Sequence, residues 1–193
     1  GVQTCALPIW RPTEDAKMAI KSMQSSKPVK KNTKLKLKLT GTNNVLNMDD
    51  ISNEEELDQA LERMLEEVKA CEYFIKETHE FTMILPKEYY EPGSYSKWVR
   101  VGWALKNTCS QLDYRDNRLF LTFLKFSSQS SEFSYADVPG LWDQWRNKFH
   151  SNPDGLTKKS IMYWAKQDAD PNDYKQIREN TVDFRSEEHT SEL

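Results

Sequence analysis

Aromatic residues at helical spacing constrain the fold of this chain more than any other feature of its sequence. Five of its six tryptophans fall between Trp98 and Trp164. Around them, apolar residues recur three or four positions apart, and capping or turn residues separate the runs. This pattern predicts short amphipathic helices whose rings share one core. We therefore expect an all-α fold, with a small irregular helical bundle over residues 83–184.

Eight residues are expected to fill this core, because each lies on the apolar stripe of its helix. They are Trp98, Leu105, Phe123, Trp142, Trp145, Phe149, Ile161 and Trp164.

Other signals predict where the elements begin and end. Asp137, Thr157 and Asp170 are expected to cap the last three helices. The pair Pro92-Gly93 breaks the chain before the first helix of the bundle. Apolar residues alternate with others over residues 81–85, which predicts a short extended stretch.

A separate amphipathic helix is predicted before the bundle, over residues 53–71. Ser52 and Glu55 match a capping box at its start. Apolar residues then recur at helical spacing from Leu57 to Val68 and form one stripe.

A basic segment precedes this helix, with eight lysines and no acidic residue between Ala16 and Met48. We predict a largely unstructured linker here, with one short edge strand possible at Lys34–Leu39. Lysines can bind the phosphates of nucleic acid. The candidate contacts in this segment are Lys30, Lys31, Lys34, Lys36 and Lys38. A flexible solubilising linker explains the same charge equally well.

The two ends of the chain share an origin at the DNA level. The first nine and last nine residues can be encoded by strings that are reverse complements after a shift of one base. Such an inverted repeat is typical of a sequencing adapter ligated to both ends of an insert. We therefore expect residues 1–10 and 185–193 to be adapter-derived, and the natural protein to continue beyond both ends.

Between these ends we expect three segments. Residues 11–50 hold the end of an upstream region and the basic linker. Residues 51–82 hold the amphipathic helix and a connector, and residues 83–184 form the helical bundle.

The sequence offers little to support catalysis or metal binding. Asp168 and Asp170 form an Asp-x-Asp pattern, but a helix cap followed by proline explains it better than a metal site. His79 and His150 lie far apart and are expected at a surface or boundary rather than as ligands. Three widely spaced cysteines favour neither a disulfide framework nor a zinc site, which indicates a reducing compartment. We expect no catalytic residue, metal or cofactor in this chain.

Three residues of the bundle are further candidates for contact with nucleic acid. Lys158 and Lys159 follow the Thr157 cap, where free amides at a helix start can bind a phosphate. Two solvated lysines on an outer face are the favoured alternative. Trp103 lies off the main stripe of its helix, so it is the tryptophan best placed to stack on a base. The net charge of −3 neither favours nor excludes nucleic acid.

The order and spacing of the core residues also resemble a known family. The series runs Trp98-x-x-Val101-Gly102-x-Ala104-Leu105, Phe123-x-x-x-Ser127-Ser128, Trp142-x-x-Trp145-x-x-x-Phe149 and Gly155-Leu156-Thr157-x-x-Ser160-Ile161-x-x-Trp164-Ala165. It resembles the second class of primase C-terminal domains, which join an archaeo-eukaryotic-type primase to a superfamily III helicase. Residues 75–95 look like the lead-in to this domain in nucleocytoplasmic large DNA viruses.

The resemblance implies a non-catalytic connector in a viral DNA-replication protein. Its partners would be the adjoining primase and helicase domains and single-stranded or template DNA, without a membrane. The parent would be a primase–helicase that uses Mg²⁺ and ATP, forms a homo-oligomeric ring through its helicase, and acts at an intracellular replication site in the host cytoplasm or nucleus. The main alternative is a stand-alone helical protein-interaction domain that docks a partner through the stripe from Leu57 to Val68.

Overall fold

A computed structural model gives the architecture of the chain. It describes residues 51–111, 113, 116–149 and 155–191, with side chains as far as residue 187, and the backbone of two short strands. The strands are β1 (Lys36–Lys38) and β2 (Val45–Asn47), which pair antiparallel with Leu37 opposite Leu46. A short strand is thus present within the predicted segment 34–39, and its partner strand was not predicted. The expected adapter at residues 1–10 and the rest of the linker lie outside the described residues.

The fold of the described residues is helical, which confirms the predicted class. Seven α-helices follow one another along this part of the chain: α1 (Glu54–Glu66), α2 (Tyr73–Met83), α3 (Tyr95–Ser110), α4 (Leu119–Ser128), α5 (Val138–Asn147), α6 (Lys158–Asp168) and α7 (Pro171–Ser191). Short 3-10 turns lie at Ala70–Glu72, Lys87–Tyr89 and Tyr135–Asp137. None of the helices described is both long enough and apolar enough to cross a bilayer.

Helix α4 is the centre of the bundle. Eight of its ten residues are buried, so it has almost no solvent-facing side and other helices must surround it. The surrounding helices are α1, α2, α3 and α5, and α6 packs in turn on α2 and α3. Helix α7 lies against α2 and α6.

The rings of the core meet at Phe123. Its ring centroid lies 4.9 Å from that of Trp98, 5.9 Å from Trp145 and 5.5 Å from Phe149. Trp98 Nε1 donates to Ser127 Oγ at 2.9 Å, and Trp145 Nε1 donates to Asn117 Oδ1 at 2.9 Å. Both indoles are therefore buried with their N–H groups satisfied.

Seven of the eight expected core residues are at most 3% exposed: Trp98, Leu105, Phe123, Trp142, Trp145, Phe149 and Ile161. Trp164 is half-buried and lies at the edge of the core. The buried side of α6 is formed by Ile161 and Ala165, and Trp164 extends from the margin of that side toward α3.

Helix α2 replaces the extended stretch predicted at residues 81–85, and that prediction is wrong. Ile75, Thr78, Phe81 and Thr82 recur at helical spacing and are buried. The hydroxyls of Thr78 and Thr82 donate to the carbonyl oxygens four residues earlier, at 2.6 and 2.7 Å. Three alternating apolar residues are too short a pattern to outweigh a helical stripe that starts upstream.

The start of α1 lies one residue later than the predicted capping box. Asn53 is the cap, and its Oδ1 accepts a hydrogen bond from the backbone N–H of Glu56 at 2.9 Å. The Glu56 carboxylate accepts from both the N–H and the hydroxyl of Ser52, each at 2.7 Å. The helix also ends at Glu66 rather than at residue 71. Two overlapping cap patterns are present, and the extended backbone at Asn53 selects the second.

Two of the three other predicted caps are present. Thr157 and Ser160 form a capping box at the start of α6, and Asp170 Oδ1 accepts from the N–H of Asn172 at the start of α7. The side chain of Asp137 makes no cap bond to α5. A 3-10 turn leads into that helix instead, and Ser134 caps the turn.

The apolar stripe of α1 packs inside the molecule. Leu57, Ala60, Leu61 and Met64 are all buried, and α1 lies against α4. Lys125 of α4 forms ion pairs with Glu54 at 2.9 Å and Asp58 at 2.7 Å. The stripe is therefore covered by the chain's own core from Leu57 to Met64, whereas Leu65 and Val68 are half-buried.

We predict that Gly102→Ala destabilises the fold, because α3 approaches the core rings closely at this position. A Cβ atom there would lie 3.1 Å from the Phe149 ring and 3.2 Å from the Phe123 ring. Overpacking of this kind costs about 1–3 kcal/mol, which urea unfolding would measure. Gly140→Ala is the matched control, since nothing lies within 4 Å of its Cβ position and alanine favours a helix. Equal effects of the two substitutions would contradict the proposed close packing.

Candidate nucleic-acid interface

The neighbouring helices α3 and α6 both carry exposed cations, and α6 also carries two aromatic rings that are not fully buried. Lys159, Tyr163 and Lys166 are exposed and lie four and three positions apart, so they form one stripe on α6. Tyr163 is 62% exposed. Lys97 and Arg100 are exposed on α3, which packs beside α6. We call these five residues together with Trp164 the α3–α6 face.

Among the described residues, no carboxylate forms an ion pair with a cation of this face. Within the described residues, the ion pairs involve other cations, namely Arg118, Lys125 and Lys175. Lys97, Arg100, Lys159 and Lys166 therefore keep their charge available to an anion.

Trp164 lies where the two helices meet and positions Arg100. The Arg100 guanidinium carbon is 5.2 Å from the centroid of the Trp164 ring, a cation–π distance. The ring of Tyr89 lies 6.1 Å from the indole at an angle of 40°. Two neighbours thus hold the half-buried indole in place.

Tyr89 is fixed by its own contacts beneath this face. Its hydroxyl donates to the carboxylate of Asp168, and Lys97 Nζ lies 4.8 Å from its ring centroid. Burial and the bond to Asp168 raise the pKa of Tyr89, so the hydroxyl stays protonated and keeps donating. Asp168 thus binds Tyr89 while Asp170 caps α7, which gives each carboxylate of the Asp-x-Asp pattern a structural role. In the part of the chain described, no three His, Cys, Asp or Glu residues are grouped as a metal site would need.

Of the candidate nucleic-acid contacts predicted from the sequence, one lies on the α3–α6 face and the others lie elsewhere or outside the described residues. Lys159 lies on the α3–α6 face, whereas Lys158 Nζ sits 4.5 Å from the centroid of the Phe74 ring. Trp103 is half-buried, and its indole N–H is enclosed without a hydrogen-bond partner in the described part of the chain. Among the linker lysines, Lys36 and Lys38 lie in β1. Lys30, Lys31 and Lys34 fall outside the described residues, as does His150.

Four residues of the face were not singled out from the sequence: Lys97, Arg100, Tyr163 and Lys166. The spacing of Lys159, Tyr163 and Lys166 on one side of α6 was available as a signal. The contact of Arg100 with Trp164 had no such signal in the sequence, because it depends on which helices pack together.

A groove between α1, α2 and α4 is a second concave feature, with a volume of about 590 Å³. Leu61, Leu65 and Met83 contribute apolar surface, and His79 also lines it. His79 Nδ1 is 3.0 Å from Thr122 Oγ1, and burial lowers the pKa of His79 to about 4. The imidazole is therefore neutral at pH 7 and bound to a core hydroxyl, which is a structural role.

Comparison with known proteins finds related sequences. Residues 80–165 match the family described as Primase C terminal 2, PriCT-2. Two curated relatives from African swine fever virus, from a pig isolate from Kenya and a warthog isolate from Namibia, are described as primase C962R. They are 34% and 33% identical to this chain over 102 residues. The match covers 52% of this chain but only 10% of each relative, so the chain spans about a tenth of their length. No solved structure matches the chain.

We predict that His79 makes the fold sensitive to acid. Its pKa in the folded state, about 4, lies below the unfolded value of 6.5, so the unfolded chain binds the proton more readily. Stability should be complete above pH 6.5 and fall toward pH 4, by about 1–3 kcal/mol from this group. His79→Gln should flatten the dependence between pH 6.5 and 5, where few carboxyl groups titrate, in urea unfolding at several pH values. An unchanged slope in the variant would rule out this origin.

Proposed function

We propose that this chain, whose residues 80–165 match the primase C-terminal 2 family, is the non-catalytic connector of a viral-type primase–helicase. In this role it joins an upstream primase to a downstream superfamily III helicase and fixes their relative position. Such a role is mechanical. It requires a rigid domain in which the chain enters from the primase and leaves toward the helicase in fixed directions.

The observation that carries this proposal is that the helices on both sides of the matched region pack onto the same body. Before the region, α1 is buried against α4 through its apolar stripe. After it, α7 packs on α2, where the rings of Tyr174 and Phe81 are 5.2 Å apart. Tyr73 and Phe184 stack at 4.1 Å further along the same pair of helices. Movement of either flanking helix is therefore transmitted to the core.

A buried ion-pair network adds to this rigidity at the junction of α1 and α2. Arg118 is 4% exposed and makes paired hydrogen bonds to Glu72, at 2.9 and 3.0 Å, and further bonds to Asp116. These bonds from Arg118 lower the pKa of Glu72. Breaking the pair would leave a buried charge without a partner, which is energetically costly. The network therefore holds the junction of α1 and α2 against the start of α4.

The wider activities of the parent protein form part of this proposal. Mg²⁺ and ATP would be bound by its primase and helicase regions, and the helicase would assemble the homo-oligomeric ring. The setting would be an intracellular viral replication site. In support, the relatives are viral proteins described as primases. A stand-alone interaction domain is disfavoured, because most of the stripe that would dock its partner, from Leu57 to Met64, is buried against α4.

We predict that the flanking coding sequence contains an Asp-x-Asp primase motif upstream and a Walker-type loop downstream. These motifs supply the metal-binding carboxylates and the phosphate-binding loop that the two enzymes need. Sequencing the gene on both sides of the region that encodes this chain would check this. Absence of both motifs would reject the connector proposal.

We predict that loosening α7 uncouples the two enzymes without inactivating either. Ile177 is 7% exposed on α7, and Val182 on the same helix is 56% exposed. Ile177→Ala should free α7, because removing a buried aliphatic side chain costs about 2–5 kcal/mol, whereas Val182→Ala should not. Spin labels on exposed positions of α1 and α7 should then give a broadened distance distribution for Ile177→Ala only.

In the parent protein, Ile177→Ala should keep ATPase activity and priming on single-stranded templates. It should lose priming that depends on unwinding a duplex. Normal coupled priming despite a broadened distance distribution would contradict the connector role.

A further inference from the structure

We propose that the α3–α6 face binds single-stranded nucleic acid, with a base stacked on Tyr163 and phosphates held by the surrounding cations. The inference rests on the proposed function only in that the parent primase–helicase would supply the single strand. Binding itself can be measured on this chain, so failure of one proposal is distinguishable from failure of the other.

Tyr163 has the properties of a stacking platform. Its side chain is 62% exposed, and the buried side of α6 is supplied by Ile161 and Ala165 instead. Within the described residues, Tyr163 takes part in no hydrogen bond and no ring–ring contact, so the exposed part of its ring is available to a ligand. Bases of a single strand stack on such rings irrespective of sequence.

The lysines of α6 are placed to reach the phosphates on either side of that base. Lys159 precedes Tyr163 by four positions and Lys166 follows it by three, which is about 6 and about 4.5 Å of helix rise. The carboxylate of Asp168, at the end of α6, is engaged by the hydroxyl of Tyr89.

Arg100 supplies a directed phosphate ligand next to the platform. Its guanidinium lies 5.2 Å from the Trp164 ring centroid and has no carboxylate partner among the described residues. A guanidinium over an aromatic ring keeps its in-plane N–H donors free to bind a phosphate in a bidentate manner. Trp164 and Tyr89 are therefore positioning residues for Arg100.

The chemistry of the face favours a single strand over the other anionic partners. In a duplex the bases are already stacked on one another, so Tyr163 would have no base to receive. The exposed stripe of α6 carries lysine and tyrosine, not the arginine, asparagine or glutamine pairs that recognise base edges. The carboxylates of an acidic protein would pair with the cations but carry no aromatic ring that could stack on Tyr163.

The first test compares Tyr163→Ala with Tyr163→Phe in the full chain. A labelled oligodeoxythymidine, the equivalent oligouridine and a duplex of mixed sequence are titrated, and thermal melting verifies that each variant is folded. Loss of one base–aromatic stack should weaken single-strand binding roughly tenfold in Tyr163→Ala. Tyr163→Phe keeps the ring and should bind as the unaltered chain does. Stronger binding of the oligodeoxythymidine or of the oligouridine would show whether the face prefers DNA or RNA.

The second test separates the face from general electrostatic attraction. Arg100→Gln should lower the salt dependence of single-strand binding by about 0.7 in log–log slope, the value for one phosphate contact. Lys175→Gln removes the same charge from α7, where Lys175 is 75% exposed and lies 3.7 Å from Glu179. This control should leave the slope unchanged.

Four results would overturn the proposal, and the first three concern single strands. They are the absence of measurable single-strand binding, equal affinity of Tyr163→Ala and Tyr163→Phe, and equal effects of Arg100→Gln and Lys175→Gln. Tighter binding to duplex than to single strands would do so as well.

Discussion

Ring packing around Phe123 is the constraint on which the rest of the structure depends. Helix α4 buries Phe120, Phe123 and Phe126 with most of its other residues and has almost no solvent face, so helices must enclose it. Gly102 allows α3 to come close enough for the Phe123 and Phe149 rings to meet. Since protein interiors are close-packed, this arrangement fixes where the outer helices lie. The packing of α1 and α7 on the core, and the contact between α3 and α6, follow from this arrangement.

Two side chains packed at this core, Asn117 and Cys109, show how its polar groups are held. Asn117 Oδ1 accepts from both Trp145 Nε1 and Lys106 Nζ, at 2.9 and 3.0 Å. Cys109 is fully buried, and burial raises the pKa of its thiol, so it stays protonated and unreactive. The exposed cations and rings of α3 and α6 are instead the groups that can meet a ligand. The molecule thus combines a buried aromatic core with exposed cations and rings on α3 and α6.

The sequence predicts the helical class and most of the core because both depend on local periodicity. Trp142, Trp145 and Phe149 lie on one stripe, and they are buried together. Helix α2 was missed because the alternation at residues 81–85 obscured a stripe of threonines and aliphatic residues. Of the residues on the α3–α6 face, the sequence predicts only Lys159 as a contact for nucleic acid. Its other members depend on the contact of Arg100 with Trp164, which joins residues 64 positions apart and has no local signature.

Hydrogen exchange of the native chain tests the central claim most directly, because it measures which helices open only when the whole fold opens. Amides in the middle of α3 and α4 should be the slowest, with opening free energies equal to the free energy of unfolding from urea. Amides of α6 and α7 should exchange at equal or faster rates. Faster exchange in α4 than in α6 would show that the rings around Phe123 do not organise the domain.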